Sequence, residues 1–376
     1  MTALWTMVLG ICSFTWAAEQ SPEILAADPA KLAAPMDLKI VPSKTSFVYR
    51  AEQGGWQFNL HSYLAHHDGK FWAVWSSGRV DEDSPNQLIR YAASADGHKW
   101  GEARVLADDP DGPDKPGRWI ARGVFVLNGK LTALAAYMED RRDTPQGREW
   151  TNLRLIRFEW DGGKWKDAGL FVSNCMNNYP PRMLGSGLFM TCRDSLKVMH
   201  TARTDSAKGD NWRLTKLPGE PPHDSMSEPS WYVDPEGTAH LIFRDGRGSK
   251  YLYRSLSRDQ GKTWTAPVRT NYPDRTSKNI AGRFSNGWYF LISNPNRERR
   301  DPLAISFSRD GWTFDNPAAL RKNAPPQRFP GASKSPNSFQ YPHVIERNGS
   351  LWVIYSTNKE DIEISEFKIE DFGLGR

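Results

Sequence analysis

The chain alternates short apolar runs with polar turns. FWAVWS, GVFVLNG, LTALAAY, AHLIFRD, YLYRSLS, WYFLIS, LAISFS and LWVIYS are each bounded by Gly, Asp, Asn or Pro. Alternating or β-rich runs of this length predict strands, and helix-period segments are almost absent from the mature chain. Two spacings organise the runs. A glycine turn between apolar segments recurs at Gly69, Gly129, Gly187, Gly237, Gly287 and Gly349, 50 to 62 residues apart. Asp-Gly and Asn-Gly suit two-residue hairpins that need positive φ. A second signal, a polar turn closed by an aromatic, falls late in the units: SADGHKW, WDGGKW, DSAKGDNW, SRDQGKTW and SRDGWTF. Units of about 50 residues with several strands each have the size of propeller blades. The expected fold is all-β, a six-bladed β-propeller over residues 46–376 with one central site. Residues 19–45, rich in Ala and Pro, form an irregular lead-in. Two β-sandwich domains are the alternative, but no linker divides the chain, and GEPPHDS and APPQRFPGASKSP read as long loops.

Composition adds little to the fold and something to the partner. Apolar residues make up 39 % and charged residues 25 % of the chain, as in a folded globular protein. The aromatic share is 12 %, with 16 Trp, a level that recurs in repeat all-β and carbohydrate-handling proteins. The net charge of +5 includes no dense basic block, and ERR at 298–300 is too short to mark a nucleic-acid surface. The cation excess suits an anionic small substrate as well as an ordinary surface. The first 18 residues are apolar and end in Ala17-Ala18, as in a secretory signal peptide without the usual basic start, or a weak anchor. The expectation is a secreted or periplasmic monomer with no stable membrane insertion. Cys175 and Cys192 remain in the mature chain, and export would permit either a pair or two buried thiols.

SRDQGKTW, residues 257–264, fits Ser-x-Asp-x-Gly-x-Thr-Trp. It resembles the Asp-box of the sialidases (neuraminidases) and related propellers with BNR repeats. As a hairpin device, the Asp accepts hydrogen bonds from the turn's own amides, the Gly takes positive φ and the Trp packs under the loop. Asp259 therefore reads as scaffolding.

Inner-strand ends face one shared surface of a propeller. Counting back eight or nine residues from the glycines gives His61, Ala121 (with Arg122 beside it), Tyr179, Glu228, Asn279 and Tyr341. Past the apolar runs come Arg79, Arg141, Arg193, Arg244, Asn294 and Lys359. So many polar and basic strand ends predict an electropositive pocket that contains a carboxylate and a phenol. His61, Arg122 and Tyr179 are candidate substrate contacts on this count.

The sialidase resemblance implies roles. SEPSWYVDPEGTAHLIFRDG maps the family's catalytic Glu onto Glu228 and a substrate-carboxylate arginine onto Arg244. ISNPNRERRDPLAISFSRDG places another arginine at Arg300, with Arg299 as the alternative. QYPHVIERNGSLWVIYS implies Tyr341 as nucleophile, and SSGRVDEDSPNQ implies Asp83 as acid, Asp81 as second choice and Arg79 beside the site. The chemistry is that of a retaining exo-glycosidase. A neutral tyrosine avoids the repulsion that a carboxylate nucleophile would meet at an anomeric carbon bearing its own carboxylate. Arginine forks would hold that carboxylate. The chain departs from the family at WQFNLHSYLAHHDG, which lacks the Arg-Ile-Pro arginine and has Asn59–His61 in its place. The expected substrate is thus sialic acid or a related uronic or sulfated sugar of a glycan. The alternatives are a polysaccharide lyase with Tyr341 or His61 as base, and a non-catalytic carbohydrate- or protein-binding propeller. No cofactor is expected, and His61, His66 and His67 lack metal-ligand geometry.

Overall fold

The computed structural model describes residues 23–82, 84, 87–108, 117–144, 147–219 and 226–375, and the side chains of all of these except 140–149. Six antiparallel sheets follow one another along the chain, five of four strands and one of five. Their first strands pack on one another around the axis: Phe58–His67, Gly117–Leu127, Met176–Asn177 with Arg182–Leu184, Met226–Val233, Ile280–Arg283 and Phe339–Arg347. This is the six-bladed propeller, and its blades are numbered 1 to 6 in that order. Among the described residues there is no α-helix, only three short 3-10 turns.

The glycine turns join each inner strand to the next. In blades 1, 2 and 6 the two-residue loops Asp68-Gly69, Asn128-Gly129 and Asn348-Gly349 have both φ angles between +48° and +77°. Only such turns match the twist of the flanking strands. In blade 3 the turn is Gly185-Ser186, and Gly187 already belongs to the following strand.

Lys44–Tyr49 closes the ring as the outer strand of blade 6, pairing Lys44 with Glu366 across to the last strand of the chain. Ahead of it, residues 23–43 lie along blades 4 and 5 through parallel bridges at Glu23–Thr270, Ala26–Phe314 and Ile40–Ala319. Cys175 and Cys192 are buried and free.

SRDQGKTW is the hairpin device its sequence suggested. Asp259 Oδ1 accepts from the amides of Lys262 (3.0 Å) and Thr263 (2.9 Å), and Asp259 Oδ2 from the Thr263 hydroxyl (2.6 Å). Ser257 Oγ takes the Gly261 amide at 2.8 Å, and Trp264 Nε1 donates to the Gly261 carbonyl at 3.2 Å. Trp264 packs with Leu184 and Phe189 of the preceding blade. Three other boxes repeat this: Gly97 packs toward Trp352 of blade 6, Gly209 toward Phe171 of blade 2 and Gly311 toward Tyr232 of blade 4, whereas Gly162 of WDGGKW has no such neighbour. In blades 1, 3, 4 and 5 the motif thus mortars the blade to the one before it. At Gly261 φ is +78° and an added Cβ would lie 2.6 Å from Leu184 Cδ2. Gly261→Ala should therefore lower unfolding stability by about 1–3 kcal/mol in urea titrations. Catalytic constants of the folded fraction should stay unchanged, and a loss of kcat would give the box a role beyond scaffolding.

Candidate active site

Four inner strands lose register at the same level: between Leu60 and Tyr63, Ala121 and Gly123, Ser227 and Ser230, and Gln340 and His343. A bulge turns its extra side chain out of the ladder. The residues at these breaks are His61, Arg122, Glu228 and Tyr341, and they point into the channel rather than into a blade. His61, Glu228 and Tyr341 have φ of +54°, +50° and +60°. For residues with a Cβ this costs about 1–3 kcal/mol each, a cost that folds retain mainly at functional sites. In blades 3 and 5 the matching positions are Asn178 and Lys278. All six side chains are buried.

One guanidinium wires the centre. Arg244 Nη1 lies 3.0 Å from Glu228 Oε2 and donates to the Tyr341 hydroxyl at 3.1 Å. Its Nε donates to Ser227 Oγ at 3.0 Å. Among the described residues, Glu228 and Tyr341 meet through this nitrogen and not by a hydrogen bond of their own. Arg300 stands beside it. Its Nη2 donates to the Thr276 carbonyl at 2.7 Å, its Nη1 donates to Gln340 Oε1, and its guanidinium carbon sits 5.8 Å from the centre of the Tyr341 ring. Arg244 Nη1 reaches the same carbonyl at 3.5 Å. The carbonyl is presented by the turn in which Asp274 accepts the Ser277 amide at 3.2 Å. Burial pushes the Asp274 carboxyl up to about 7.

Opposite charges and burial set the protonation states. Burial alone would raise the Glu228 carboxyl, but Arg244, then Arg193, Lys278 and His61, hold it down at about 2. Burial raises the Tyr341 phenol and Glu228 raises it further, against Arg244 and Arg300, so the resting group is neutral. His61 is driven well down by burial and by Arg122. Its ring meets Tyr341 edge-on at 5.3 Å, and its Nε2 is 3.6 Å from Glu82 Oε1. Lys359 pairs with the same carboxylate and, against the effect of burial, holds Glu82 ionised.

Below the mouth, Lys278 crosses the channel. Its ammonium donates to the Tyr63 hydroxyl at 2.9 Å and the Asn178 carbonyl at 2.7 Å, and lies 4.0 Å from the centre of the Tyr179 ring. Tyr179 is a floor residue. Its hydroxyl donates to the Asn279 carbonyl at 2.5 Å, and its ring lines a cavity of about 370 Å³ at the opposite, hairpin end of the channel with Leu64, Val124 and His343.

The sequence candidates therefore divide. Glu228, Tyr341, Arg244, Arg300 and His61 converge, and Arg122 stands in the same ring. Arg299 is exposed, while Arg300 turns inward. Arg79 is exposed with its guanidinium 4.1 Å over the Trp56 ring. Tyr179 sits beneath the site. Asp83 and Arg141's side chain lie outside the described residues; Asp81 accepts from the Ser84 hydroxyl at 2.7 Å. Lys278 and Glu82 were not among the candidates. Nine residues before Gly287, the count that gives Glu228 from Gly237, reaches Lys278 instead of Asn279. Nothing local in the sequence signals Glu82, whose partner Lys359 is 277 residues away.

Comparison with known proteins supports this architecture. A family profile described as a BNR repeat-like domain matches residues 69–354. A Dyadobacter fermentans protein of unknown function superposes with a TM-score of 0.67 at 14 % identity, covering 87 % of this chain and 99 % of that one. The Hadza microbial sialidase Hz136 gives a TM-score of 0.66 at 16 % identity over 87 % of this chain and 68 % of its own. The intramolecular trans-sialidase from Ruminococcus gnavus, solved with oseltamivir carboxylate, gives 0.65 at 12 % identity over 89 % and 99 %. At such identities the likeness is one of fold. No curated protein matches the chain.

Proposed function

The chain belongs to the BNR repeat-like family and has a sialidase-like propeller, and from that premise we propose that it is an exo-glycosidase. Its reaction is the retaining hydrolysis of a terminal acidic sugar, sialic acid or a related uronic or sulfated sugar. The carrying observation is Arg244, whose one nitrogen touches both Glu228 and Tyr341 while Arg300 shares its carbonyl anchor.

In this reading Arg244 and Arg300 receive the substrate carboxylate as paired forks. Engaging Arg244 loosens its hold on Glu228, which raises the basicity of that carboxylate as the sugar arrives. Tyr341 attacks the anomeric carbon, its proton passes to Glu228, and the sugar–aglycone bond breaks. The leaving oxygen takes a proton from the Asp81–Asp83 loop, for which Asp83 remains the assignment. Glu82 is unsuited to that role because Lys359 keeps it ionised. Water then cleaves the tyrosyl–sugar bond with the same loop taking its proton as base, while Glu228 returns its proton to the departing Tyr341 oxygen.

A panel of aryl glycosides of sialic, glucuronic, iduronic and neutral sugars tests the reading. Turnover of an acidic glycoside with release of the same anomer is expected, on a uronide or sulfated sugar as readily as on a sialoside because Asn59–His61 stands where the family arginine would be. Exclusive turnover of neutral glycosides, or binding without turnover throughout, would overturn it. A neutral buried His61 against Tyr341 favours one second reading, a lyase that removes the proton beside a uronate carboxylate. An unsaturated product absorbing in the near ultraviolet would decide for the lyase.

A further inference from the structure

We infer that the channel holds a second anion site, built on Arg122 with His61 in the same ring, and that the sugar it takes carries two anionic groups. The inference rests on the acidic-sugar reading above and narrows it to a carboxylate plus a sulfate or phosphate ester.

Arg122 occupies the bulge of blade 2, the position that His61, Glu228 and Tyr341 occupy in blades 1, 4 and 6. It is 2 % exposed, as is Glu228. Yet Arg122 lacks the partners that a buried guanidinium ordinarily has. Its Nη2 points at the Met176 sulfur, 2.6 Å away, a weak acceptor, and its Nε and Nη1 have no hydrogen-bond partner among the described residues. No carboxylate of those residues pairs with it.

The neighbours do not supply the missing anion. Lys278, also buried, directs its amine at a phenol and a carbonyl, and burial drives its basicity well below the usual lysine range. His61 Nδ1 is unpartnered as well. Tyr63, whose hydroxyl receives Lys278, also interacts with the Arg122 guanidinium, as a neutral partner and not as a counter-charge. Buried charge without a counter-charge is costly, and folds keep it chiefly where a ligand supplies the missing partner. Glu228 cannot serve, because Arg244 already holds it.

Topology sets Arg122 apart from the arginine pair. Arg244 belongs to blade 4, Arg300 to the loop within blade 5, and Arg122 to blade 2, which faces blade 5 across a ring of six. A sugar ring lying over Tyr341 can present a carboxylate to the arginine pair and an ester to Arg122. A second anion beside Arg122 also offsets the charge that His61 does not bring to the arginine pair.

Isothermal titration of the full chain at fixed ionic strength tests this, with methyl glucuronide and its 2-, 3- and 4-O-sulfo forms as probes. At least one sulfated form should bind about tenfold or more tighter than the parent, the scale of one charge-assisted fork. Arg122→Gln should collapse that ratio to about one, and Arg122→Lys should leave an intermediate ratio. Equal binding of sulfated and parent sugars by the unmodified protein, or a ratio that survives Arg122→Gln, would overturn the second site. If Arg122→Gln does not fold, Arg122→Lys decides, and an unaltered ratio overturns the proposal. Binding of no probe, the parent included, would instead remove the acidic-sugar reading on which the inference rests.

Discussion

Tyr341→Phe should lower kcat by about 10³-fold or more while the protein still folds and still binds its sugar. The substitution removes one oxygen, and that oxygen accepts a single hydrogen bond among the described residues, from Arg244 Nη1. The ring keeps its edge contact with His61 and its place beneath Arg300. Losing one hydrogen bond to a charged donor costs about 1.5–3 kcal/mol of stability, offset in part because the buried hydroxyl no longer needs a partner. The chemical step has no such compensation, since no other hydroxyl stands in the ring of His61, Arg122, Asn178, Glu228 and Lys278. Single-turnover kinetics on the best acidic glycoside, beside calorimetric binding of its product, checks the split. A variant that keeps kcat within about tenfold of the parent would remove Tyr341 from the chemistry and turn attention to His61.

The sequence was most legible where one residue type has one physical use. Asp-Gly and Asn-Gly turns demand positive φ, and the Asp-box satisfies its own amides, so blade number and blade boundaries followed from local chemistry. Counting inward from those turns worked for His61, Glu228 and Tyr341 and slipped by one at Ala121, Tyr179 and Asn279, where Arg122, Asn178 and Lys278 hold the position. In blade 2 the break leaves one residue against none, where blades 1, 4 and 6 set two against one, and Asn178 and Lys278 lie outside the paired segments of their inner strands. A shift of one exchanges the two faces of a strand. Arg79 stacks on Trp56, an aromatic partner that strand counting does not anticipate. Contacts between distant segments carried no local signal at all. The Glu82–Lys359 pair and the docking of Lys44–Tyr49 on the last blade come from ring closure, which only the three-dimensional arrangement shows.

Arg244→Met should be the most damaging single change to stability and substrate affinity together, because one side chain performs three tasks. It neutralises Glu228, which is 2 % exposed, and removing one partner of a buried pair typically costs about 3–5 kcal/mol. It donates to Tyr341, and it forms half of the carboxylate clamp, whose loss should raise KM about 10–100-fold. The pH dependence identifies the mechanism. Glu228 is depressed from an ordinary value of 4.5 to about 2 in the fold. A depressed carboxyl stabilises fully above its unfolded value, and that stabilisation fades as pH falls through 4.5 toward 2. The stability gap between wild type and Arg244→Met should therefore be widest above pH 5 and shrink on acidification, as urea unfolding at a series of pH values would show. Adding Glu228→Gln to Arg244→Met should return much of the lost stability, because the orphaned charge is gone, while leaving KM high. A gap independent of pH, or a double variant no more stable than the single one, would mean that Arg244 acts through packing and that the Glu228 pair is not what anchors this end of the channel.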